Sequence, residues 1–116
     1  MEGLKPGRIV YFVFDEQSAG DVNRRYQHAR EHRKEHEDRA NGVQLHIGNP
    51  VAAGDICPAM VLRVWGDSGC SNLKVMLDGT DDFWATSVNY DEAKGPRTWH
   101  WMFEGQAGRY DATKTH

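Results

Sequence analysis

The sequence predicts a mainly β domain: a small, partly open SH3-like or OB-like barrel of about five strands, with one inserted α-helix. Three observations point there. GRIVYFVF, residues 7–14, is β-branched and aromatic and follows a proline, the mark of a buried strand. Residues 55–101 fall into short alternating segments separated by turn residues. Between the two lies a long polar stretch with helical periodicity. Five strands cannot leave an apolar sheet face in water, and curling into a barrel buries that face and reduces exposed edges.

Alternation assigns the faces strand by strand. In AMVLRVW, residues 59–65, Met60, Leu62 and Val64 share one face, and Val61, Arg63 and Trp65 the other. The charge on Arg63 marks the second face as outer. After the turn GDSG, NLKVMLDG directs Leu73, Val75 and Leu77 inward and Lys74, Met76 and Asp78 outward. DGTDD is a hairpin signal, since Asp and Gly tolerate positive φ. FWATSVNY, residues 83–90, is the next strand, with a less decisive alternation. TWHW, residues 98–101, is a short last one. Paired with the first strand, it would let Trp99 and Trp101 seal the barrel mouth while His100 points the other way.

The insert is predicted helical over about residues 18–41, with Asp21 as N-cap and Asn41-Gly42 as stop. Its apolar positions are Val22, Tyr26 and Ala29, all in the first half. That half is expected to dock on the barrel, and the second half, with Arg33 and His36, to face solvent or a partner. His28, His32 and His36 recur every four residues and form one stripe. Adjacent imidazoles at this spacing can chelate Zn, Ni or Cu. A solvated polar helix shows the same stripe, so no metal and no cofactor are expected. Residues 1–104 are read as one domain and residues 105–116 as a flexible tail.

Composition narrows the function classes. A 116-residue chain with net charge −3 lacks the clustered positive footprint of a nucleic-acid binder. No apolar run approaches the ~20 residues of a membrane span. The opening MEGLKPGRIV has no charged-then-apolar signal layout, so a cytoplasmic location is expected. Cys57 and Cys70, without a CxxC, are expected as thiols. GxSxG, HExxH, a phosphate loop and a dinucleotide fingerprint are all missing. Asp78, Asp81 and Asp82 lack EF-hand spacing and read as a polar hairpin tip. The expectation is therefore a protein that is not an enzyme.

The aromatic residues are the better lead. Trp65, Trp84, Trp99 and Trp101, with Tyr11, Tyr90 and Tyr110, are more than a small barrel can bury. Aromatic and Arg side chains anchor interfaces, and flat rings also stack on ligand rings. The candidate binding residues are Arg63, Trp65, Met76, Trp84, Arg97, Trp99, His100 and Trp101. Tyr26, His28, Arg33 and His36 are candidates on a partner-contact helix. Either the helix covers the face of Arg63, Trp65 and Met76 with Tyr26, or a partner does.

The segments GRIVYFV, AGDICPAMVLRVWG, NLKVMLDGTDDFWATSV and GPRTWHW together resemble a family of small uncharacterised proteins of actinobacterial phages and prophages. The likeness runs over about two thirds of the chain. Tyr11 stands where the family pattern has a His, and Met102 where it has a Pro. The resemblance implies a phage origin and a compact β fold, and it implies no enzyme. The expected function is a phage or prophage accessory binding module acting by protein–protein contact, with a protein partner or a second copy. The runner-up is a counter-defence protein that sequesters a small nucleotide signal; the third reading is a minor virion component. The expected location is the cytoplasm of the bacterial host, or the virion.

Overall fold

The computed structural model describes residues 1–32 and 48–109. Five strands, β1 (Ile9–Val13), β2 (Ile56–Trp65), β3 (Cys70–Met76), β4 (Asp82–Tyr90) and β5 (Thr98–His100), form a closed barrel in chain order. Helix α1 (Glu16–Glu31) lies between β1 and β2, and a short α2 (Gln106–Arg109) follows β5. The fold is mainly β, as the sequence predicts, but the barrel is closed rather than partly open. Its chain-order neighbours also differ from the Greek-key arrangement of an OB barrel.

Closure rests on three residues. β5 pairs antiparallel with β1 (Tyr11 opposite His100, Phe12 opposite Trp99) and parallel with β4 (Asn89 opposite Thr98, Tyr90 opposite Trp99). Trp99 is 0% exposed and is the largest fully buried side chain. Its indole N–H donates to the Gly69 carbonyl at 2.7 Å. Its ring packs on Tyr90 at 4.9 Å and edge-on against Trp101 at 5.0 Å. Val10, Phe12 and Phe14 from the first strand region, and Leu73, Val75, Ala85 and Val88 from β3 and β4, fill the rest of the interior.

β2 departs from simple alternation. Val61 is buried at 1% exposure, whereas Met60 and Leu62, expected inside, are 39% and 42% exposed. The cause is a β-bulge. From Val61 to Arg63 β2 advances two residues while β3 advances one, from Leu73 to Asn72. Leu62 and Arg63 therefore both face out, and the inward set changes parity from Ala59 and Val61 to Val64. β4 has a matching irregularity: Ala85 pairs with Leu73 and Val88 with Ser71, and Ser87 adopts φ 51°. The Asn72 side-chain oxygen accepts from both sites, from Ser87 N at 2.8 Å and Trp65 Nε1 at 2.9 Å.

α1 begins earlier than Asp21 suggests. Asp15 is the N-cap, accepting from Ser18 N at 2.9 Å, while Ser18 Oγ accepts from Asp15 N at 3.2 Å, a capping box. Ala19, Val22 and Tyr26 descend one face into the core. Arg25 pairs with Asp81 at 2.9 Å, and the Asn23 amide bonds both backbone groups of Val51. The helix is described as far as its C-cap, His32. The continuation to residue 41, with Arg33 and His36, lies outside the described residues.

Contacts with the barrel continue past residue 104. Gln106 is buried; its amide donates to Ile9 O at 2.7 Å and accepts from Met102 N at 2.6 Å. The Arg8 guanidinium donates to Gln106 O at 2.7 Å and Gly3 O at 3.1 Å. The start of the expected tail is thus clasped at Gln106 to Ile9 and Arg8, and α2 is described as far as Arg109. Residues 110–116 lie outside the described residues. Among the described residues, no helix is long and apolar enough to cross a membrane.

If Trp99 closes the barrel, Trp99→Ala should lose about 3–5 kcal/mol of stability in urea unfolding followed by circular dichroism. A loss under about 1 kcal/mol would contradict that role.

Candidate functional site

Two surfaces gather the sequence-predicted residues. The first is the outer face of β2, β3 and β4. Met60, Lys74 and Trp84 lie in one row across the three strands, since Met60 opposes Lys74 and Lys74 opposes Trp84. Their side chains all point out of the barrel, and Trp84 is 64% exposed. Leu62, Met76 and Trp65 extend the apolar surface along the strands. Arg63 lies 4.1 Å over the Trp65 ring, which Asn72 holds through the indole N–H. Lys74 pairs with Asp82 at 3.3 Å on the same face. Tyr26 does not cover this surface; it is buried in the core with Ala19 and Val22. It is therefore no partner contact, although His28, on the same helix, is exposed.

The sequence reading missed Met60 and Leu62. Alternation counted from an outward Arg63 places them inside; the bulge puts Arg63 out beside Leu62 and so inverts that count for the residues before it. Nothing short-range marks that bulge.

The second surface is an open concavity of about 540 Å³ beside β5 and the segment after it. Tyr90, Lys94, His100, Trp101 and Phe103 contribute to its wall, with Glu92 and Glu104 at hand. His100 is only 5% exposed, and its buried Nδ1 has no hydrogen-bond partner among the described residues. Its ring lies 5.6 Å from that of Tyr11. Trp101 is half-buried between Trp99 and the Arg8 guanidinium, 5.3 Å from its ring.

Other candidates fall away from both surfaces. Trp99 is core and offers nothing to a ligand. Arg97 is taken up internally: its guanidinium donates to Thr86 O at 3.1 Å and its backbone N–H to Val13 O at 2.9 Å. The hairpin carboxylates are each engaged, Asp78 by Asn49, Asp81 by Arg25 and Asp82 by Lys74. Both cysteines are free thiols, and burial pushes the Cys57 thiol up, which weakens it as a nucleophile. Comparison with family models, with curated proteins and with solved structures gave no match.

Burial disfavours the His100 imidazolium, nearby Lys94 adds to this and Asp91 opposes it; the net pKa lies below the ordinary 6.5. Between the folded value and 6.5 the unfolded chain binds more protons than the folded one. The stability tied to neutral His100 is thus present above pH 6.5 and lost as pH falls toward the folded pKa. The urea midpoint should drop from about pH 7.5 to about pH 5, and His100→Gln should shrink the drop. An equal or larger drop in the variant would contradict this assignment.

Proposed function

We propose that this chain is a non-enzymatic binding module that works by protein–protein contact through the outer face of β2, β3 and β4, with a second copy of itself as first partner. The supporting observation is Trp84, 64% exposed, in a row with Met60 and flanked by Leu62, Met76 and Trp65. A single exposed apolar residue is ordinary, but several large ones on one sheet face point to an interaction surface. Trp, Met and Arg are also the residue types enriched in interface centres. Lys74 and Asp82 put both charge signs beside the apolar group. A surface with both signs can meet itself across a two-fold axis. The chain-order strand arrangement favours an SH3-like description of the barrel. A phage or prophage origin, with action in the host cytoplasm, rests on the resemblance of the four segments quoted above. A minor virion component would use the same face in a ring or shell.

A second reading is favoured by His100. His100, whose buried Nδ1 has no hydrogen-bond partner among the described residues, lines one concavity with Trp101 and Tyr90. A sequestered nucleotide signal would stack there. Of the candidate binding residues named from the sequence, only His100 and Trp101 line the concavity. Release of a stoichiometric nucleotide from the native protein on denaturation, seen by mass spectrometry, would favour this reading over the first.

Sedimentation velocity over a concentration series should show reversible self-association. Trp84→Ala or Met60→Ser should weaken it by roughly tenfold or more, with stability changed by no more than about 0.5 kcal/mol. A monomer at every concentration, with no protein captured by a photo-crosslinking residue at position 84 in the producing host, would sink the proposal.

A further inference from the structure

The carboxyl-terminal end of α1 carries a cluster that neither the core nor the contact face uses. His28, Glu31 and His32 each present a ligating atom, and these atoms all lie within 4.8 Å of one another. The His28 and His32 rings are 4.5 Å apart. Helix geometry produces the convergence: positions i, i+3 and i+4 share one face over adjacent turns. The cluster sits on a fixed support, because Ala19, Val22 and Tyr26 of the same helix are anchored in the core. Glu31 is held further by Gln27, whose amide donates to Oε1 at 3.3 Å.

The donor set is specific in kind. Two imidazole nitrogens and one carboxylate oxygen suit Zn²⁺, Cu²⁺ or Ni²⁺, whereas Ca²⁺ and Mg²⁺ prefer all-oxygen shells. Tetrahedral bonds of ~2.0–2.1 Å place neighbouring ligand atoms about 3.3 Å apart. Closing in from 4.8 Å needs rotamer adjustment of the three side chains. A helix C-terminus carries partial negative charge and favours a cation there.

We propose that His28, Glu31 and His32 bind a borderline divalent transition ion, with Zn²⁺ as the test ion and one coordination position left open. The bound ion ties the last two turns of α1 together. This site does not depend on the contact-face reading.

The test uses the full chain, untagged and stripped with EDTA, titrated with zinc chloride by calorimetry alongside thermal melting. One equivalent of Zn²⁺ should bind and raise the melting temperature. His28→Ala and His32→Ala should each weaken binding by roughly tenfold or more and abolish the thermal shift. Both positions lie outside the core, so circular dichroism of the variants should match that of the parent. Absence of binding would overturn the proposal. So would affinity unchanged in the His28→Ala/His32→Ala double variant, which would move binding to His36, His46, His100 or His116.

Discussion

The barrel depends on one short strand making two different pairings. β5 is three residues long, antiparallel to β1 and parallel to β4. A parallel neighbour cannot be reached by a tight hairpin. The connection after β4 therefore doubles back, with Lys94 and Arg97 at positive φ and the Arg97 N–H bonded to Val13 O. Left-handed backbone in non-glycine residues is costly and persists only where surrounding contacts fix it. Asp91 O accepts from Lys94 N, and Val13 O and Thr86 O accept from Arg97, while Trp99 fills the core, satisfies its indole N–H on Gly69 and braces Tyr90 and Trp101.

Each surface feature follows from that closure. Because Trp99 points in, His100 points out, beneath the segment that Gln106 and Arg8 clasp to β1. Because the barrel is closed, β2, β3 and β4 present a continuous outer face with no free edge between them. The bulges at Leu62 and Ser87 then decide which side chains that face displays, and Asn72 joins the two. The helix, tied down by its first three turns, carries its histidine pair away from both surfaces.

Much of this was legible in the sequence, and the exceptions have physical causes. β1, the DGTDD hairpin and the inward Leu73 and Val75 follow from local pattern alone. Trp99 could be read either as sealing the barrel or as a binding residue, and only the burial and pairing of β5 decide for the core. The faces of Met60, Val61 and Leu62 did not follow, because one inserted residue inverts parity and bulges depend on the neighbouring strand. The helix start was readable in principle: Asp15 and Ser18 are three residues apart, and Asp21 drew attention only because the apolar positions begin beside it. Gln106 was not readable, since its partners, Ile9 and Arg8, lie at the opposite end of the chain. Of the candidate site, the outward placing of Trp65 and Met76 follows from the sequence; that of Trp84 does not, since its strand's alternation is indecisive, and neither do the neighbours Met60 and Leu62.

The central claim is the sorting of four tryptophans by the closed barrel, with Trp99 inside and Trp84 presented outside. Fluorine NMR of 5-fluorotryptophan-labelled protein, with a soluble paramagnetic agent, tests it directly. The account predicts four resonances. Trp84 should be broadened most, Trp65 and Trp101 less, and Trp99 not at all. A Trp99 signal attenuated as strongly as that of Trp84 would contradict the closure on which the whole description rests.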